Sequence, residues 1–183
     1  MTRAPIPTLN TAAFLKEHRR LFLERPLPGP VLDLACGGGH NGVFLATEGV
    51  SVVCCDRSPE ALERTRALAD EHQVSIRLWQ ADLEGEGVNP LPVDFYGAIL
   101  VFRYLHRPLI PHLRKSLKAG GVLMYETFTV EQPRFGKPRN PDFLLKKGEL
   151  QGWFEDWEVI DFFEGIRVKP ERAVAQIVCR KPG

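Results

Sequence analysis

The sequence predicts a doubly wound α/β fold: a mostly parallel sheet closed by an antiparallel pair of strands at its C-terminal end. Three observations predict it. Short apolar runs alternate five times with helix-type segments between residues 31 and 126. Residues 95–101 form an almost unbroken apolar run, as suits a parallel strand buried on both faces. The last two strand-like runs, residues 157–163 and 173–180, are separated by a turn too short for a crossover helix, so they are expected to pair antiparallel.

Each element has a local cause. Residues 11–24 read as an amphipathic helix, with Phe14, Leu15, Leu21 and Phe22 at helical spacing and Arg19 and Arg20 on the wetter side. Pro26, Pro28, Gly29 and Pro30 end it and lead into strand one, residues 31–35. The next helix starts near His40 and runs to Thr47, with Gly49 as its stop. Strand two is 51–55, closed by Asp56. Ser58-Pro59-Glu60 then sets a helix start from a serine cap, a first-turn proline and an acid that suits the helix dipole. That helix carries Ala61, Leu62, Thr65, Leu68 and Ala69 on one face and ends near His72. Val74, Ile76 and Leu78 alternate with Ser75 and Arg77 as strand three. Residues 108–118 are predicted helical, with Pro111 tolerated in the first turn and Gly120-Gly121 as the stop before strand five, 122–126. A short helix near 148–154 precedes the terminal pair.

Size and composition narrow the function. A chain of 183 residues is about one domain and buries roughly two-thirds of its unfolded surface. Its 44% hydrophobic and 26% charged residues are ordinary for a globular protein. The apolar runs are too short to cross a bilayer and the N-terminus has no apolar signal core, which predicts a cytoplasmic protein without a membrane partner. With 24 basic against 23 acidic residues there is no global positive field, so a small molecule is the expected partner rather than a nucleic acid. The expected assembly is a monomer or a homodimer. Cys36, Cys54, Cys55 and Cys179 show no metal-ligand spacing, so no metal site is expected. The strand cysteines read as buried thiols, and Cys36 reads as a lining of the ligand pocket.

The chemistry concentrates at strand ends. In such a sheet a ligand lies beyond the carboxyl ends of the strands, where strand order reverses. Asp33, Cys36, Gly37 and Gly39 follow strand one, Asp56 follows strand two, Asp82 strand three, and Phe102-Arg103-Tyr104 strand four. Gly37-x-Gly39-x-x-Gly42 also fits a dinucleotide-binding fingerprint with Asp56 as its ribose acid. Asp33 argues against it: a carboxylate beside the glycine turn repels a diphosphate and attracts an ammonium or sulfonium. S-adenosylmethionine (SAM) is therefore the expected cofactor. Asp33 and Asp56 fit turn caps as well, and so does Asp82.

Asp33-Leu-Ala-Cys-Gly-Gly-Gly39 resembles motif I of the class I SAM-dependent methyltransferases, with Ala35 where many members carry the first glycine. The superfamily resemblance covers about residues 31–180. Cys36-Gly-Gly-Gly-His-Asn41, Val101-Phe-Arg-Tyr-Leu-His106 and Gly148-Glu-Leu with Glu155-Asp-Trp-Glu158 are similar to the tellurite-resistance-type methyltransferases within it. The resemblance implies a Rossmann-like, seven-stranded sheet with a C-terminal antiparallel hairpin. It implies that Asp33 engages the methionine ammonium and that Ala35, Cys36, Gly37 and Gly39 let the backbone approach the methionine. It further implies Asp56 on the ribose, Arg57 beside the adenine, Asp82 and the Leu83 N–H on the adenine edge, and Phe102 near the reacting methyl. Asn41, a capping or packing group, joins the cofactor-binding set.

Methyl transfer from a sulfonium needs alignment and exclusion of water more than acid–base chemistry. A thiolate or oxyanion acceptor needs a positive environment, for which Arg103, His106 and Arg139 are the expected catalytic residues, with Lys137 nearby. Tyr125 and Glu126, at the end of strand five, face the same site. Residues 128–143 read as an acceptor lid or, equally, a solvated basic loop. Residues 1–30 are expected to be a helical extension covering the cofactor. The predicted function is methyl transfer to a small-molecule acceptor, a thiol or a tellurite- or selenite-like chalcogen oxyanion. The alternatives are a non-catalytic SAM sensor and, less favoured, an NAD-binding oxidoreductase.

Overall fold

The computed structural model describes residues 8–85 and 91–183, so the first seven residues of the expected extension lie outside the described residues. Seven strands form one sheet: β1 (Val31–Leu34), β2 (Val52–Asp56), β3 (Arg77–Gln80), β4 (Tyr96–Phe102), β5 (Leu117–Phe128), β6 (Glu158–Arg167) and β7 (Arg172–Arg180). Their order is β3-β2-β1-β4-β5-β7-β6. The first five pair in parallel, and β7 runs antiparallel to both β5 and β6. Strand order reverses between β1 and β4, the switch point expected to hold the ligand.

The period-two alternation of the strands builds two cores. Leu32, Leu34, Ile99, Val101, Leu123 and Ile177 face one side, where α4 (Ile110–Ser116) and α5 (Glu149–Gly152) pack through Ile110, Leu113 and Leu150. Val31, Ala98, Leu100, Val122, Met124 and Val178 face the other, under α1 (Ala13–Glu17) and α2 (His40–Thr47), which contribute Phe14, Leu15, Leu45 and Ala46. The helix α3 (Pro59–Glu71) lies beside α2, meeting it through Val43, Leu68 and Ala69. Ser58 caps α3 as the sequence requires, its hydroxyl accepting from the Ala61 N–H at 3.1 Å. Cys54, Cys55 and Cys179 are buried free thiols, and burial pushes the Cys55 and Cys179 thiols up to about 12.

Several boundaries differ from those read in the sequence. The helix expected over 11–24 is a short α1 followed by a 3-10 turn at Arg19–Phe22. His18 breaks it: its ring Nδ1 shares the Phe14 carbonyl with its own backbone N–H, and its Nε2 lies 3.1 Å from Asp161 on β6. Strand three starts at Arg77 because the Val74 N–H is spent on the Ala69 carbonyl that closes α3. The helix expected over 108–118 ends at Ser116, since Leu117 already pairs with Tyr96 in the sheet. Gly120 and Gly121 therefore lie inside β5, where the Gly120 N–H and Gly121 carbonyl bond to Lys181. The hairpin strands extend to Arg167 and Arg172, beyond the expected 163 and 173.

Candidate functional site

The site is assembled from the residues that leave β1. Ala35 and Gly37 turn the chain with φ of +54° and +57°, and Gly39 continues the turn at +73° before α2 begins. No side chain caps α2 at Gly39. The cap comes from the strand instead: the Gly42 N–H donates to Asp33 Oδ2 at 2.9 Å. A side chain at Gly42 would put its Cβ 2.4 Å from Cys54 Sγ and 3.0 Å from that carboxylate, so only glycine lets α2 sit this close to the sheet. Asp33 is 2% exposed, and burial raises its pKa from 3.8 to about 7 against the lowering by the Gly42 bond and with a small further rise from Asp56.

The acid after β2 braces the same loop. Asp56 Oδ2 accepts from the Gly37 N–H at 2.8 Å and Oδ1 from the Ser58 N–H at 3.0 Å. Thr65 of α3 props the loop from below, donating to the Gly37 carbonyl at 3.1 Å, with a competing 2.9 Å contact to the Ala61 carbonyl. Beyond β3, Asp82 accepts from the Glu84 N–H at 2.9 Å, an Asx turn that shapes the next loop. All three acids thus act as turn caps and also stand at cavity walls.

Two cavities open over these strand ends, and Ala35 lines both. The smaller, about 210 Å³, is bounded by Asp56, Arg57, Asp82, Leu83 and Tyr104. Arg57 is tethered there by Glu84 at 3.6 Å. The larger, about 550 Å³, runs from Asp33, Cys36, Gly37 and Asn41 across to Phe102 and Arg103. The segment before α1 walls this cavity at Asn10–Ala12, together with Ala13, which opens the helix. It is laced to α2: the Ala12 N–H donates to Asn41 Oδ1 at 2.9 Å, the Asn10 N–H to His40 Nδ1 at 3.3 Å. Arg103 sits at φ +56° with its N–H on the Glu126 carbonyl, a left-handed residue closing β4.

Residues 31–121 match the family described as a methyltransferase domain. The probable S-adenosyl-L-methionine-dependent methyltransferase TehB of Haemophilus influenzae strain Rd is 25% identical over 145 residues, covering 76% of this chain and 49% of that protein. The crystal structure of TehB from Haemophilus influenzae superposes with a TM-score of 0.74 at 20% identity, covering 95% of this chain and 63% of that one. The chain belongs to the class I SAM-dependent methyltransferases. SAM is the methyl donor that membership implies, and the nicotinamide reading of the glycine turn falls away. Hemagglutinin 1 of Eikenella corrodens is also similar, 30% identical over 153 residues, covering 80% of this chain and 50% of that protein. The chain spans about half the length of these curated relatives.

Against this methyltransferase frame the expected catalytic trio does not converge. Arg103 lines the larger cavity, whereas neither His106 nor Arg139 lines either cavity. His106 precedes the 3-10 turn Arg107–Leu109, whose Arg107 clamps Glu149 at 2.6 Å and the Asp142 and Leu144 carbonyls. The loop over 128–143 is pinned at its base by buried Gln132, which accepts from the Ala173 N–H and donates to the Lys137 carbonyl. Sequence reading missed Tyr104 as a wall of the smaller cavity, although it named the residue. Burial, with the nearby Glu84 carboxylate, raises its phenol. Asn10–Ala13 belong to the extension expected to cover the site, whereas Pro170 and Arg172 were not foreseen: they reach the larger cavity only through tertiary folding and carry no local signal.

Proposed function

We propose that the chain binds SAM across both cavities and transfers its methyl group to a small-molecule acceptor entering beside Phe102 and Arg103. The nucleoside occupies the smaller cavity, with Asp56 on the ribose, Arg57 beside the adenine, and Asp82 and Leu83 on its edge. The methionine part lies over Ala35, Cys36, Gly37 and Gly39, with its ammonium toward Asp33 and Asn41 shaping the wall. The acceptor's lone pair attacks the methyl carbon, and the carbon–sulfur pair leaves on sulfur to give S-adenosylhomocysteine (SAH). The chain's own part is alignment and exclusion of water. One observation carries this reading: two cavities joined at Ala35, over the switch point, with an acid at the end of each of β1 and β2 and after β3.

The acceptor class is a soft nucleophile, a thiol or a chalcogen oxyanion, by likeness to TehB. Residues 31–180 work as one methyltransferase domain, in the cytoplasm. Methyl-labelled SAM offered with a panel of thiols, selenite and tellurite tests the proposal: labelled product and SAH above background support it. Tight SAH binding without turnover of any acceptor would identify a sensor instead.

A further inference from the structure

Methyl transfer as proposed leaves one buried acid on the larger cavity without a task. Glu126 is 2% exposed and yet lines that cavity. Alternation along β5 packs Tyr125 under α4 and α5 and so turns Glu126, like Met124, to the opposite face. Phe102 of β4 lies on that face too. In the sheet Glu126 pairs with Phe102, and its carbonyl takes the Arg103 N–H. The carboxyl therefore stands beside the two residues where the acceptor is proposed to enter.

Its neighbours hold it as an acceptor. Gln176, its partner across β7, donates from Nε2 to Oε2. The direction of that amide is fixed, because its carbonyl oxygen takes two N–H bonds from Arg167 at 3.0 and 2.5 Å. Oε1 is different. The Arg172 Nη2 lies 3.7 Å from it, an ion pair beyond hydrogen-bond reach, and among the described residues no hydrogen bond reaches this oxygen. The other titratable groups on the cavity are engaged or cannot accept. Asp33 takes the Gly42 N–H, and Cys36 turns its thiol to the Gly37 carbonyl. His40 Nδ1 accepts from the Asn10 N–H, so the neutral ring carries its proton at Nε2 and has no nitrogen left to take another. Arg103 and Arg172 only donate.

We infer that Glu126 is a catalytic residue, the base that takes the proton of the nucleophile during methyl transfer. The inference rests on the methyl-transfer reading and narrows it to acceptors that arrive protonated, a thiol rather than an oxyanion. A free thiol with a pKa of about 8.5 is mostly un-ionised at neutral pH, so a base has a proton to remove. The thiol lone pair forms the bond to the methyl carbon, and the carbon–sulfur pair of SAM returns to its sulfur to give SAH. The attacking sulfur gains positive charge, its S–H turns strongly acidic, and Oε1 of Glu126 takes that proton. The carboxyl passes it to water once the thioether leaves.

The test follows methylation of 2-mercaptoethanol and of 4-nitrothiophenol, which is ionised at neutral pH and needs no base, at saturating SAM across pH. In the wild type, turnover of 2-mercaptoethanol is expected to stay flat from neutral pH up to the thiol's own ionisation. Without a base it would climb about tenfold per pH unit with the thiolate. Glu126→Gln keeps an oxygen for Gln176 but removes the base. It is expected to lose about a hundredfold on 2-mercaptoethanol at pH 7, to regain most of that as the thiol ionises, and to stay within about threefold on 4-nitrothiophenol. Glu126→Asp draws the carboxylate back and is expected to fall between, with the flat profile kept. It decides the matter with the wild-type profile if Glu126→Gln does not fold. A wild-type rate that climbs with the thiolate, or a Glu126→Gln loss that is equal on both thiols or absent on both, would overturn the inference. Methylation of selenite or tellurite with neither thiol turned over would overturn it too, while the methyl-transfer reading stands. If none of the four acceptors is methylated, that reading falls and the inference with it.

Discussion

Asp33 predicts a pH-dependent affinity for the cofactor. Burial holds its pKa at about 7 rather than 3.8, so the unliganded folded protein binds a proton that the unfolded chain releases. For a raised carboxyl the sign is set: its contribution to stability is complete below the unfolded value and is lost as pH climbs through 7. A ligand ammonium beside the carboxylate reverses this preference, since an opposite charge lowers a carboxyl pKa by about 1–3 units. SAH keeps that ammonium and is stable enough to titrate. Its affinity is expected to rise about fivefold to fiftyfold between pH 5 and pH 7, then to level off, because the ionised form of Asp33 is the one that binds the ammonium. Binding is expected to release about 0.4 to 0.9 of a proton at pH 6 and about half a proton at pH 7. Calorimetry in two buffers of different ionisation enthalpy reads both quantities. Asp33→Asn keeps an oxygen for the Gly42 N–H but cannot ionise, so it is expected to bind weakly at every pH with no proton release. A flat affinity in the wild type, or the same slope in Asp33→Asn, would refute the reasoning.

Three further outcomes are expected. Asp56→Ala removes the acceptor for two backbone N–H groups and a ribose contact, and is expected to weaken SAH binding by about 1–3 kcal/mol in a titration. Ala35→Gly relieves a side chain held at φ +54° and is expected to stabilise the protein by about 1 kcal/mol in denaturant unfolding, with SAH affinity preserved. Arg103→Ala is expected to reduce methyl transfer while SAH affinity stays within about twofold, because its side chain faces the acceptor end.

The sheet was legible because its code is local. Alternation along β1, β4 and β5 divides neighbours between two cores, and the glycine turn with Asp33 and Asp56 announces where a ligand enters. The helix boundaries were less so. Leu117 and Lys118 read as helix by composition, yet the pairing of Leu117 with Tyr96 in the sheet outweighs a propensity difference of a few tenths of a kcal/mol. His18 ends its helix through a partner far along the chain, Asp161, which no local window contains. The hairpin side of the larger cavity was the least readable part for the same reason. Glu126 was visible at a strand end, but its partners Gln176 and Arg172 become neighbours only when β7 inserts between β5 and β6.

That insertion divides the labour of the sheet. The glycine turn and the acids that brace it all precede residue 121, on parallel strands tied to α2 and α3. Glu126, Pro170 and Arg172 come later, on the antiparallel side, with their own bracing from Arg167 and Gln176. The two sides of the larger cavity therefore sit on separately supported structures. Residues about the 167–172 turn can therefore change without loosening the glycine turn or the acids that brace it.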